Sequence, residues 1–226
     1  GEFLVAEADE SDGSFLKLSP TLAVVTNIDR EHLDYYPGLA EIQAAFEVFV
    51  NKVPFYGAAV LCLDDPSVQA IIPRVTRRII TYGTSSQADL IASRIEFHGF
   101  GCSYRARYRG KPLGSVSLQA PGLHSVLNSL AAVAIGLELD IPMEKIIAAL
   151  GAFQNADRRF QIKGEKRGIM VVDDYGHHPT EIMATLKAAR NSSDRRIVAV
   201  FQPHRYTRIQ ALEEEFARAF YQADVV

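Results

Sequence analysis

Four polar clusters, each directly after a short apolar run, hold the residues of this 226-residue chain best suited to chemistry. The first, Glu7-Ala8-Asp9-Glu10-Ser11-Asp12, places four carboxylates within six residues. Mg2+ commonly takes one or two carboxylates and completes its shell with phosphate and water oxygens, and Glu7 is placed for that. The same run also suits a solvated acidic loop. The second, Asn27-Ile28-Asp29-Arg30-Glu31-His32-Leu33-Asp34, sets a histidine just past a strand. His32 reads either as a ligand or as a helix-cap or surface residue. In the third, Asp173-Asp174-Tyr175-Gly176-His177-His178-Pro179, two acids close an apolar run and a proline stands where a helix begins. Proline suits the first helical position, and a helix N-terminus attracts anions. The bland alternative is a capped strand–helix turn with two surface histidines. The fourth, Gln202-Pro203-His204-Arg205-Tyr206-Thr207-Arg208, offers two guanidinium forks. Such forks grip carboxylates in a bidentate way, which suits an amino-acid substrate. The competing reading pairs them with Glu213–Glu215 on the next helix.

The elements that must position these clusters follow from periodicity. Apolar runs at Phe3–Ala6, Leu22–Thr26, Ala58–Leu63 and Arg78–Tyr82 read as strands. Leu39–Val50 reads as a helix, with Ile42, Ala45, Phe46 and Phe49 on one face. Strands alternating with helices indicate a mostly parallel sheet, at whose carboxyl strand ends ligands bind. From Asp89 to Leu118 short segments punctuated by Gly99, Gly101, Arg109-Gly110 and Gly114 predict an antiparallel β-meander packed on one side of that sheet. A long helix through Leu127, Leu130, Ala131, Val133 and Ala134 follows, then one opened by Pro142 that holds Ile146, Ile147 and Leu150. A domain boundary is expected near residues 151–160, dividing 1–157 from 158–226. Beyond it a second count begins: strand Met170–Val172, helix Pro179–Arg190, strand Ile197–Phe201, helix Thr207–Tyr221 and a strand opening at Asp224. The fold class is therefore α/β, a mostly parallel central sheet with helices and a meander. The second stretch is short for an independent doubly wound domain, so its sheet is expected to be incomplete.

Bulk properties narrow the function. Hydrophobic residues make up 48% and charged residues 23%, ordinary for a globular chain. A net charge of −3 argues against a general nucleic-acid binder. No apolar run approaches the roughly 20 residues that span a bilayer, and no basic leader opens the chain. Cys62 and Cys102 form neither a disulfide framework nor a C-x-x-C pair, which makes the cytoplasm the expected compartment.

Taken together, the four clusters, Ala120-Pro121-Gly122 through Asn128, and Arg158-Arg159-Phe160 resemble the Mur ligase family, and specifically its alanine-adding branch. Ala45-Phe46-Glu47-Val48-Phe49 stands where sister ligases carry a modified lysine, which agrees with that branch. The resemblance implies a central ATP-binding domain followed by the start of a Rossmann-like domain. It implies ATP and Mg2+, with UDP-N-acetylmuramate and L-alanine as substrates in peptidoglycan synthesis, and it admits a homodimer. A carboxylate of the sugar would be phosphorylated by ATP, and the acyl phosphate then attacked by the amine.

On this basis Glu7 and His32 would hold Mg2+ and Arg159 would face phosphate. His124, Asn128 and Asp174 would stand on the nucleotide side, and His177, His204, Arg205 and Arg208 would grip L-alanine. His32 must be neutral to ligate, so metal binding would weaken as pH falls through its pKa. Two departures stand out. Ser125 occupies a position usually held by asparagine, and no G-x-x-x-x-G-K-[ST] phosphate loop occurs in the chain. The family's loop lies upstream of the Glu7 strand end, so these residues alone are expected to be inactive. A peptide-recycling ligase and a degenerate nucleotide-binding module are the competing readings.

Overall fold

The computed structural model describes residues 2–226. Its centre is a six-stranded sheet in sequence order, formed by β1 (Leu22–Val25), β2 (Ala58–Cys62), β3 (Ile79–Gly83), β4 (Leu90–His98), β5 (Gly101–Tyr108) and β6 (Lys111–Leu118). β1 to β4 pair in parallel, and β4 to β6 are antiparallel. The meander is thus an extension of the sheet, joined through Tyr82↔Leu90 and Gly83↔Ile91, and not a layer packed on one side of it. Asp89 makes the join, accepting from the Thr81 N–H at 3.0 Å. In the β5–β6 turn Arg109 and Gly110 both have positive φ, 46° and 82°, the geometry of a tight two-residue hairpin.

α1 (Leu39–Asn51) and α2 (Pro66–Ile71) cover one face of the sheet, and α3 (Leu123–Glu138) and α4 (Met143–Ala152) contribute to the core on the other. Side chains alternate across a strand. Ala58, Val60 and Cys62 therefore enter the core that contains α3, while Ala59 and Leu61 enter the core of α1 and α2. Burial on both faces explains why β2 is apolar throughout.

After α4, residues 153–156 have no regular structure. β7 (Gln161–Lys166) and β8 (Ile169–Asp173) then form an antiparallel hairpin. Arg167 and Gly168, with φ 54° and 76°, make its turn. α5 (Pro179–Ser192) follows, and then α6 (Tyr206–Ala211) and α7 (Glu213–Ala219). Ile182, Leu186 and Ala219 form a third core, packed by Phe201, Phe216 and Phe220.

Four local expectations need correction. Phe3–Ala6 is not a strand: among the described residues no backbone pairs with it, and Leu4 and Val5 are over nine-tenths exposed. Ile197–Phe201 is not a strand: among the described residues it makes only one bridge, Val198 with Val225. The helix expected over Thr207–Tyr221 is two helices, broken where Leu212 leaves helical geometry at φ −124°. Three glutamates restart the second, as acids favour a helix N-terminus. The strand over Met170–Val172 exists, but its hydrogen-bonded neighbour is β7 rather than a parallel strand.

Candidate active site

The loop leaving β1 carries His32 in a left-handed conformation, φ 55°. Non-glycine residues adopt this rarely, and here the turn is pinned by the N–H groups of Tyr35 and Tyr36, both donating to the His32 carbonyl at 2.9 Å. The pinning aims the imidazole at the acidic cluster, where Nε2 lies 3.2 Å from Glu10 Oε1. The Tyr36 hydroxyl secures that cluster by donating to the Glu10 carbonyl at 2.8 Å. The Glu10 hydrogen bond raises the His32 pKa against the opposing effect of burial, and the same bond lowers that of Glu10. His32 Nδ1 is buried without a hydrogen-bond partner. Glu7 is exposed.

The Asp173–Pro179 turn is built from the start of α5. His178, 5% exposed, is the N-cap, and Glu181 returns to accept from the N–H groups of His177 and His178 at 3.0 and 3.2 Å. That is a capping box with proline at the first helical position. Asp174 accepts from the N–H groups of Phe160 and Gly176 at 2.8 and 2.7 Å, which ties the turn to the Arg158–Phe160 segment. Arg159 donates to Glu181 at 3.2 Å, and Arg158 lies 4.7 Å over the Tyr175 ring. At the head of α3, burial pushes the His124 pKa down, with the charges of Asp174 and Arg159 acting on it in opposite directions. Asn128, one turn further along α3, is exposed. The Ser125 hydroxyl donates to the Pro121 carbonyl at 2.7 Å, which ties it to the turn before its own helix.

The clusters then meet. The Thr180 hydroxyl donates to Asp29 at 2.5 Å. His178 Nδ1 accepts from the Thr180 N–H, leaving Nε2 to donate to the Arg30 carbonyl, each at 3.4 Å. Glu31 accepts from the Arg208 guanidinium and lies 3.6 Å from His177 Nε2. Arg205 reaches Asp34 at 3.4 Å. A cleft results, lined by Arg30, Glu31, His32, Asp34, Arg205 and Arg208.

Both arginines of the fourth cluster therefore pair with the β1 loop. It is Arg30 that meets Glu215 on α7, at 3.7 Å. His204 contributes its carbonyl, which accepts from Arg208 at 3.2 Å. Glu31, Glu10 and Glu181 are the site residues that sequence reasoning did not single out. Only Glu181 had a local signal, the acid three positions after an N-cap.

Among the described residues no three His, Cys, Asp or Glu side chains converge on one point. A cation here would take one or two protein ligands and draw the rest from water and phosphate, the habit of Mg2+. His32 Nδ1, buried without a partner, is an orphaned atom of the kind a cation would satisfy, and Glu7 is an exposed carboxylate.

Residues 1–136 match the Mur ligase middle domain, and residues 158–226 match the Mur ligase, glutamate ligase domain. The UDP-N-acetylmuramate–L-alanine ligase of Geotalea daltonii is 60% identical over all 226 residues, which cover 49% of that protein. That of Pelobacter propionicus is 60% identical over 228 aligned positions, covering 100% of this chain and 50% of the relative. The chain thus spans about half the length of the curated relatives it matches. Among solved structures, the UDP-N-acetylmuramate–alanine ligase of Thermotoga maritima superposes with TM-score 0.77 at 28% identity, over 96% of this chain and 47% of that one. A murein peptide ligase from Psychrobacter arcticus gives TM-score 0.65 at 26% identity, over 92% and 43%. With two family domains in order along one continuous α/β chain, this protein belongs to the Mur ligase family.

Proposed function

We propose that this chain is the central and following part of an ATP-dependent ligase that joins L-alanine to UDP-N-acetylmuramate, with its division near residues 151–160. The observation that carries this reading is 60% identity, sustained over the whole chain, to proteins named for that reaction. A carboxylate cannot expel oxide when an amine attacks, so it must first be activated. ATP would transfer its γ-phosphoryl group to the sugar's carboxylate, giving an acyl phosphate and ADP. The amine of L-alanine would add to that carbonyl, lose a proton and expel phosphate, leaving the amide. Such steps depend mainly on positioning and charge neutralisation.

In this reading Glu7 and His32 hold Mg2+, which when bound neutralises charge on the phosphates. Arg159 turns from Glu181 toward phosphate. His124, Asn128 and Asp174 bound the nucleotide side. His177, His204, Arg205 and Arg208 form the acceptor side, where a guanidinium fork recognises the amino acid's carboxylate. The His32–Glu10 pair tightens the pH requirement on that metal, because it favours the charged imidazole that cannot ligate.

The test is ATP-dependent amide formation by the full-length protein, comparing L-alanine with a tripeptide as acceptor. Preference for L-alanine supports the proposal, and preference for the tripeptide supports the peptide-recycling alternative. Glu7→Ala should abolish turnover; undiminished turnover would remove Glu7 from the reaction.

A further inference from the structure

Arg208 is 9% exposed, and both terminal nitrogens of its guanidinium are engaged. One terminal nitrogen donates to Glu31, which comes from 177 residues earlier in the chain, and the other to the His204 carbonyl at 3.2 Å. A buried guanidinium without a counter-charge is strongly destabilising. Something must therefore hold Arg208 whenever no acceptor is bound, and Glu31 does. The group that holds it is a carboxylate, the same chemical group an amino-acid acceptor would present. The same Glu31 oxygen also lies 3.6 Å from His177 Nε2, a neighbour that remains when Arg208 is taken by another carboxylate.

We propose that Glu31 is a built-in competitor for the acceptor's carboxylate: it occupies the Arg208 fork in the empty site, and the incoming amino acid exchanges with it. This rests on the reading that Arg208 belongs to the acceptor side. Binding is then one carboxylate replacing another on the same guanidinium, with no buried charge left bare at either stage. The apparent affinity for the amino acid is reduced by the factor by which the internal pair is favoured. An acceptor without a free carboxylate cannot displace Glu31, so the exchange filters acceptors for that group. The exchange also breaks a contact between the β1 loop and α6, which makes acceptor binding sensed by both.

The experiment uses the full-length ligase with Glu31→Gln, which keeps the shape and removes the charge, and Arg208→Lys as the reference. Glu31→Gln should lower the KM for L-alanine by about fivefold or more, the release of a competing internal state, and leave the KM for ATP unmoved. It should also lower Tm in the absence of L-alanine, and saturating L-alanine should raise Tm further than in the parent protein. A purely structural tether would lower Tm without that enhanced rescue. Glu31→Asp, which retains the charge on a shorter arm, supplies a milder variant should Glu31→Gln not fold, with a KM between the two. If Arg208→Lys raises the KM for L-alanine while Glu31→Gln leaves it unchanged or raises it, the competitor proposal is overturned and the acceptor-side reading stands. If Arg208→Lys leaves that KM unchanged, the acceptor-side reading falls and the proposal with it.

Discussion

At the residue scale, Glu181 serves both the start of α5 and the site beside it. Its carboxylate caps the backbone of His177 and His178 and holds Arg159. Glu181→Ala should cost about 1–2 kcal/mol, the usual worth of a capping interaction, as read by urea unfolding. Burial alone would raise the Glu181 pKa, but the two N–H donors, His177 and Arg159 bring it below the ordinary value of 4.5. The native state thus binds fewer protons here than the unfolded chain. The stabilisation is complete above the ordinary value and is lost as pH falls through the depressed one. Glu181→Gln should flatten that part of the acid limb.

His124 runs by a different sign. Burial lowers its pKa from 6.5, so the folded protein resists a proton the unfolded chain accepts. His124 is nevertheless exposed, so water screens the effect: stability should be unaffected above 6.5 and decline only slightly as pH drops below it, and His124→Gln should remove that shallow slope. Gly122, at φ 90°, precedes it, and a Cβ there would lie 2.7 Å from the His124 ring. Gly122→Ala should cost about 1 kcal/mol or more, from a conformation alanine resists and a ring that must move.

At the element scale, burial decides what substitution does. Leu61 on β2 is fully enclosed, and Leu61→Ala should destabilise by about 2–5 kcal/mol in denaturant titration. Val200, 97% exposed in the segment that makes only one bridge, should tolerate alanine within about 0.5 kcal/mol. The same contrast explains which elements the sequence made legible. β2 is apolar throughout because both its faces are buried, and α1 and α3 each bury a periodic face, so their patterns were plain. Phe3–Ala6 has as apolar a pattern, but a strand needs a hydrogen-bonded neighbour that composition does not supply. α2 is six residues, too short for helical periodicity to show, although its Asp65 cap accepts from the Val68 N–H at 2.8 Å and Pro66 follows that cap. β7 was hidden because its residues are mostly exposed and polar; only Arg167-Gly168 marked the hairpin.

At the scale of the whole molecule, the four polar clusters were legible as candidate chemistry, yet their mutual pairing was not. Glu31 meets Arg208 across 177 residues and Asp29 meets Thr180 across 151, distances over which sequence carries no local signal. With the His32–Glu10 pair, these contacts link all four loops, and the second and fourth line a cleft. The cleft contains carboxylates, the His32 imidazole and guanidinium groups, but the 226 residues hold no phosphate-cradling loop of the G-x-x-x-x-G-K-[ST] kind. By themselves they should not turn over ATP. The most direct measurement is product analysis with the full-length protein, UDP-N-acetylmuramate, ATP and L-alanine. One amide and one phosphate should form per ATP consumed, with the rate falling to background in Glu7→Ala. Amide formation without ATP, or ATP-dependent joining of a tripeptide with L-alanine refused, would contradict it.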